Sequence, residues 1–175
     1  MAAEKHLAIV AEDRLTQAVL HKCAAEFLPT HRIVRSEIKN GRGNVQREIP
    51  AYLKLSEKMP VLLCVDLDGD VCAPELRASW KTETTSKAFL LRVAVREIES
   101  WVLGDRKRVA SFLGAKSDDI AKDPDSLEDP KRSLLDLARN FASPDLKRDL
   151  IPRNYAQYPR IGPAYNMQLC AFVQR

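Results

Sequence analysis

The chain is short of the residues that mark specialised scaffolds. Six glycines against ten prolines in 175 residues exclude a collagen-like repeat and low-complexity disorder. The four cysteines, Cys23, Cys64, Cys72 and Cys170, include no C-x-x-C pair, and the three histidines, His6, His21 and His31, complete no zinc-ligand spacing. Neither a disulfide framework nor a structural zinc is expected, and the cysteines read as reduced, buried thiols packing as small hydrophobes. No apolar run approaches the roughly 18 residues of a membrane helix, and the N-terminus lacks the apolar core and cleavage site of a signal peptide. The expectation is a cytoplasmic protein with no membrane partner. Charge of one sign is scarce too: 28 Lys and Arg against 24 Asp and Glu leave +4, too small a bias to establish nucleic-acid binding by itself.

What is present is an ordinary folding composition, 45% hydrophobic and 30% charged, at a length that suits one domain. His6 to Ala11 (HLAIVA) is too short for a helix and too apolar for an exposed strand, so it reads as a buried, parallel strand. Leu15, Val19, Cys23 and Phe27 then recur every four residues up to Pro29, the pattern of an amphipathic helix with its stop signal. A shorter strand over His31 to Ile38, a glycine-bearing loop over Asn40 to Asn44 and a helix around Gln46 to Glu57 follow, with Pro50 compatible only with a first turn. Val61 to Val65 is the clearest buried strand; a short helix from Pro74 to Trp80, a polar linker from Thr82 to Lys87 and a further strand from Ala88 to Val95 come next. From Arg96 onward the pattern turns helical. Residues 144–163, with four prolines, read as extended or irregular, and Tyr165 to Val173 as a terminal helix. The fold class is α/β, a mostly parallel sheet flanked by helices with a helical C-terminal extension, organised as a core over about 1–102 and a helical cap over about 103–175.

Three apolar strands each finish at carboxylates: Glu12 and Asp13 after the first, Asp66, Asp68 and Asp70 after the third, Glu97 and Glu99 after the last. In an open parallel sheet the strand carboxyl ends share one edge, where ligands bind, so these groups are candidates to converge. Clustered carboxylates resist ionisation unless a cation sits among them, and oxygen-only donors suit Mg²⁺ or Mn²⁺. Asp66 and Asp68, two apart on an extended backbone, would share a face and hold one ion together, with Glu12 and Asp70 as further ligands. A hard cation in a basic surround points to phosphoryl chemistry and to a nuclease. The bases offered for phosphate contact are Arg42, in a basic stretch from Arg32 to Lys58, Arg153 and Arg160, in a stretch interleaved with Tyr155, Tyr158 and Tyr165, and, outside both, Arg96 and Lys131. Each group also has a structural role open to it. Glu12 or Asp13 can cap a helix, Glu97 can sit in a first turn, Asp68-Gly69-Asp70 can be a turn, and Lys131 can be a solvated surface residue.

A strand ending in Glu followed by a strand ending in Asp-x-Asp resembles the TOPRIM fold of topoisomerases, primases and OLD-type nucleases, with Glu12, Asp66 and Asp68 as the matching residues. More specifically, the segments AIVAED, VDLDGD, RVAVREIESWVLGD, LEDPKRSLL and GPAYN resemble a small bacterial TOPRIM-like family of unknown function, often encoded beside ATPases of the OLD or SMC type. The resemblance implies a Rossmann-like TOPRIM domain. It makes Glu12 a metal-binding or general acid/base residue, Asp66 and Asp68 metal ligands, and Glu97 and Glu99 further catalytic acids. It further implies an Mg²⁺- or Mn²⁺-dependent nuclease acting on nucleic acid, DNA in particular, as partner of an ATPase in a phage-defence or DNA-repair system. The chain departs from the pattern at Asp13, where TOPRIM domains carry glycine, and relatives are expected to continue well beyond Tyr165. Two other classes stay open. One is a non-catalytic TOPRIM-like protein that docks to an ATPase; the other is a receiver-like domain with Asp66 or Asp68 as phosphoacceptor, suggested by IVAEDRLTQAVL.

Overall fold

A computed structural model describes residues 5–80, 86–154 and 161–175. The chain forms two compact units, Met1–Ala94 and Val95–Arg175. The division lies ahead of the helix that contains residue 102, because that helix packs on the helices that follow it.

The first unit is α/β and Rossmann-like. Its elements are β1 (Lys5–Ala11), α1 (Arg14–Phe27), β2 (His31–Ile38), α2 (Arg42–Arg47), α3 (Ile49–Ser56), β3 (Val61–Asp66), α4 (Ala73–Ser79) and β4 (Phe89–Ala94). All four strands are parallel, in the order β2-β1-β3-β4. Leu7 to Ala11 and Leu63 to Val65 are almost wholly buried, as central strands covered on both faces must be. The edge strand β2 is the most exposed, and a register shift at Leu7/Ala8 leaves Val34 unpaired opposite it. Such a bulge twists an edge away from further strand pairing. Because the chain runs from β1 outward to β2 and then crosses back to β3, right-handed crossovers place α1 on one face and α2, α3 and α4 on the other.

Local signals set the element ends. Asp13 Oδ1 accepts the Thr16 amide at 2.8 Å and starts α1. The loop expected over 40–44 is shorter than that span. Asn40 and Gly41 turn the chain with φ of 52° and 124°, and Gly43 and Asn44 are already helical. The single helix expected from Gln46 to Glu57 is divided at Glu48. A continuous helix would put the Pro50 ring against the Gln46 carbonyl and leave no N–H at that position, so the chain restarts with Pro50 in the first turn of α3. All four cysteines are free thiols, Cys64 fully buried and the others partly so.

The second unit is helical: α5 (Ile98–Gly104), α6 (Arg106–Leu113), α7 (Pro130–Phe141), α8 (Pro144–Leu150) and α9 (Tyr165–Gln174), with short 3₁₀ turns at Ser117–Asp119 and Pro124–Ser126. Val102, Leu103, Leu113, Leu134, Leu135, Leu150, Tyr165 and Leu169 form its core. Helix α8 corrects the expectation of irregular chain over 144–163. Ser143 Oγ accepts the Leu146 amide at 3.3 Å, and Pro144 occupies the first helical position, where no N–H is needed. Pro152 follows the helix end, so the prolines bound a helix instead of preventing one. Residues 82–85 of the expected linker, and Tyr155, Tyr158, Pro159 and Arg160, lie outside the described residues. Among the described residues no helix is long and apolar enough to cross a membrane.

Gly162 sits where the approach to α9 crosses the end of α8. Its amide donates to the Leu150 carbonyl at 2.8 Å, and a Cβ there would lie 2.3 Å from the Asp149 carbonyl oxygen and 2.4 Å from the Leu150 carbonyl carbon. Backbone on both sides cannot yield cheaply, so Gly162→Ala is expected to cost about 1–3 kcal/mol in thermal or urea unfolding. Gly104, with open space around it on α5, should respond with the opposite sign. Gly104→Ala is expected to be neutral or stabilising by up to about 1 kcal/mol. Equal effects from the two substitutions would contradict this reading of Gly162.

Candidate functional site

In the first unit the topological switch point lies between β1 and β3, whose connections leave in opposite directions. The crevice outside the strand carboxyl ends at such a point is where open α/β sheets bind ligands. Glu12 directly follows β1 and Asp66 is the last residue of β3. The two strands are in register with Ala11 opposite Cys64, which brings the Asp66 amide to 3.3 Å from Glu12 Oε2 as a donor. Burial raises the Glu12 pKa above the ordinary carboxylate value. The Asp68 and Asp13 charges add to the rise, while the Asp66 and Arg42 amides oppose it. Asp66 is the more buried of the two, at 9% exposure, and Glu12 is half-buried. The structure thus brings Glu12 and Asp66 together at the predicted edge.

Asp68 and Asp70 belong to a different arrangement. The expectation that Asp66 and Asp68 share a strand face does not hold, because β3 ends at Asp66 and Asp68 adopts φ 50°. The alternation of side chains along a strand stops where the extended backbone stops. Leu67 pins the turn, its amide donating to the Ala94 carbonyl at 2.9 Å and its carbonyl accepting the Asp70 amide at 3.1 Å. Arg42, the first residue of α2, closes over that turn. Its Nη1 donates to the Leu67 carbonyl at 3.1 Å and to Asp70 Oδ2, and lies 3.7 Å from Asp68 Oδ2. The segment that carries Arg42 runs across the end of β1, with the Lys39 amide bonded to the Ala11 carbonyl and the Gly41 amide to the Glu12 carbonyl. Arg42, expected to contact nucleic acid, is here the counter-ion of the loop after β3.

The donor chemistry of Glu12 and Asp66 suits a hard divalent cation. Among the described residues, however, no three His, Cys, Asp or Glu side chains stand where they could hold a metal ion together. Arg42 accounts for this in part, since its pairs with Asp68 and Asp70 employ two of the four carboxylates that were expected as ligands.

The basic stretch from Arg32 to Lys58 keeps an excess of bases, seven against Glu37, Glu48 and Glu57, and is paired internally only in part. Lys39 Nζ pairs with Glu37 at 2.6 Å and Glu48 at 2.8 Å, and the Tyr52 hydroxyl lies within hydrogen-bond distance of both carboxylates. Burial alone would lower the Lys39 pKa, but the two glutamates outweigh it and raise it. Burial, assisted by the same carboxylates, pushes the Tyr52 hydroxyl up to about 12. An open cavity of about 400 Å³ lies beside this network at the end of β2, lined by Ile38, Lys39, Asn44, Arg47 and Glu48.

Glu97 and Glu99 form a second cluster, in the helical unit. Neither is on a strand, since β4 ends at Ala94; Glu97 is the extended residue before α5 and Glu99 lies in its first turn. Both meet Lys131. Its Nζ lies 2.7 Å from Glu97 Oε1 and 3.7 Å from Glu99 Oε1, and its amide donates to Glu97 Oε2 at 3.0 Å, so Glu97 also caps α7. The Tyr165 hydroxyl donates to Glu99 Oε1 at 2.8 Å. Three segments far apart in sequence, REIESW, DPK and GPAYN, thereby share one polar cluster, buried at Glu99 and Tyr165 and partly exposed at Glu97 and Lys131. Lys131, expected as a phosphate contact or a solvated residue, is engaged by carboxylates. Tyr165 is the partner that sequence reasoning missed in this role; the sequence signal was its place in GPAYN. Of the other expected contacts, Arg96 is half-buried and engaged, Arg153 is exposed, and Arg160 is outside the described residues.

Glu99 is 2% exposed, and its Oε2, like the neighbouring Ser100 Oγ, has no hydrogen-bond partner among the described residues. Burial pushes its pKa up from 4.5 to about 7, with Lys131 and Tyr165 opposing the rise and Glu97 adding to it. A carboxyl whose folded pKa exceeds its unfolded one binds more protons when folded, so stability falls as pH rises between about 4.5 and about 7. Glu99→Gln keeps an acceptor for Tyr165 and removes the titration. The melting temperature of the variant should gain on the wild type progressively through that window and hold its advantage at pH 8. A difference that does not change with pH would show that Glu99 does not titrate there.

Comparison of the chain with protein-family profiles, with curated proteins and with solved structures returned no match.

Proposed function

We propose that the chain is a TOPRIM-like, Mg²⁺- or Mn²⁺-dependent phosphodiesterase acting on nucleic acid, DNA in particular, at the carboxyl edge of β1 and β3. The observation that supports this reading is the half-buried Glu12 carboxyl, its pKa raised, accepting the Asp66 amide at a topological switch point. In this reading Glu12 and Asp66 would hold the cation, which when bound neutralises charge on the phosphate under attack. A raised pKa makes Glu12 easier to protonate than an ordinary carboxylate, which suits it to exchange a proton with water or a leaving oxygen. Asp68 and Asp70 set the loop beside that pair and reach Arg42. The chain's sequence resemblance supports an ATPase of the OLD or SMC type as its partner in a phage-defence or DNA-repair system.

A second reading is supported by the Arg42 pairs, which satisfy two of the acids without any metal. In it the edge is catalytically inert and the protein works by docking to the ATPase. The two readings separate on substitution. If the site is catalytic, plasmid or oligonucleotide cleavage in Mg²⁺ or Mn²⁺, with the neighbouring ATPase supplied, falls by about a hundredfold or more in Glu12→Gln and to background in Asp66→Ala. Loss of neither, or intact DNA and RNA under all these conditions, rejects the nuclease reading. A docking protein retains its biological activity when Asp66 and Asp68 are both replaced.

A further inference from the structure

An open cavity of about 300 Å³ lies in the helical unit where α6 meets α9, lined by Arg108, Ser111, Phe112, Phe172 and Arg175. Helical spacing puts these residues together. Arg108, Ser111 and Phe112 stand at i, i+3 and i+4 of α6 and share a face. Phe172 lies in the last turn of α9, with Arg175 three residues on at the helix end. The two phenyl rings pack with centroids 5.0 Å apart at an interplanar angle of 37°; Phe172 is buried and Phe112 part-exposed. Arg108 is held in place by its own surroundings. Its Nη1 donates to Asp105 at 3.2 Å, its Nη2 to the Phe172 carbonyl at 2.9 Å, and its guanidinium lies 5.0 Å from the centre of the Phe172 ring. These bonds employ two of its five N–H donors. A guanidinium already fixed, with donors to spare, loses little side-chain freedom on taking an anion.

Ser111 adds an exposed hydroxyl and Arg175 a second, exposed guanidinium. Aromatic ring, arginine and hydroxyl around a cavity at the small end of ligand sites fit a planar ring joined to a phosphate. We infer that this cavity takes one nucleotide of single-stranded DNA, its base stacked on Phe112 and its phosphate on Arg108 and Arg175. Only an unpaired base offers a free face for such stacking. The choice of DNA rests on the nucleic-acid reading above, whereas the cavity itself is built by α6 and α9 and needs neither Glu12 nor Asp66. None of its residues was an expected contact, because Arg108 and Phe172 are 64 residues apart and meet only when the two helices pack.

Fluorescence anisotropy of a labelled oligothymidylate with the full chain in EDTA, which withholds any metal that cleavage would need, tests this. The wild type is compared with Phe112→Leu and Arg175→Gln, each first shown by thermal unfolding to be folded. Phe112→Leu keeps an apolar side chain but loses the ring, and should weaken binding about tenfold without altering its salt dependence. Arg175→Gln should weaken binding less, and should lower the slope of log K against log salt by about 0.7, the share of one phosphate contact on a single strand. No binding by the wild type, unaltered affinity in folded Phe112→Leu, or an unaltered slope in Arg175→Gln each overturns the inference. If Phe112→Leu does not fold, Arg175→Gln alone decides. Binding that both variants weaken as expected, in a protein that cleaves nothing once Mn²⁺ and the ATPase are supplied, supports the cavity and rejects the nuclease. Cleavage that Asp66→Ala abolishes, with binding indifferent to Phe112 and Arg175, overturns the cavity and spares the nuclease.

Discussion

A carboxylate withdrawn from water must be given donors, a counter-charge or a proton, and much of the polar structure of this chain answers that demand. Glu12 receives backbone amides, while the exposed Asp68 and the part-exposed Asp70 share Arg42. Glu37 receives Lys39 and Tyr52, which also reach the part-exposed Glu48; Glu97 receives Lys131, and Glu99 receives Lys131 and Tyr165. Two of these solutions are incomplete. Glu12 and Glu99 both keep raised pKa values after their partners are counted, so each retains a tendency to bind a proton or another positive charge. Perturbed carboxyls of this kind are concentrated at functional sites, although structural networks produce them too.

The two clusters differ in what surrounds them. Glu12 and Asp66 lie at a sheet edge where parallel topology places ligand-binding crevices, beside turns that carry the positive-φ residues Asn40, Gly41 and Asp68. Glu99 is enclosed among helices, with Lys131 and Tyr165 joining α5, α7 and α9 through one carboxyl. The first has the position of a chemical site. The second ties three helices together through a group whose charge costs stability, and the unpartnered Glu99 Oε2 shows that the tie is imperfect.

The elements were legible where the signals are local. The apolar run of β3 shows it buried, the four-residue repeat before Pro29 shows α1, and Asp129-Pro130 starts α7 as the capping rules require. Helix α8 was obscured because the density of prolines outweighed the Ser143-Pro144 start signal. At the candidate site the positions of Glu12 and Asp66 were legible, since a strand's carboxyl end follows from the strand itself. The Arg42 pair spans 28 residues and the Tyr165 to Glu99 bond spans 66; contacts at that range depend on the packing of whole elements, which no window of sequence contains. The divergence of Asp68 from Asp66 turns on one backbone angle at the strand end, and Gly69 beside it marked a turn without fixing which residue would take positive φ.

A crystal structure of the chain grown with Mn²⁺, with anomalous scattering recorded at the manganese edge, tests the central claim most directly. The account predicts an anomalous peak bound by Glu12 and Asp66 at the carboxyl ends of β1 and β3. An edge without a peak at saturating Mn²⁺ would contradict it.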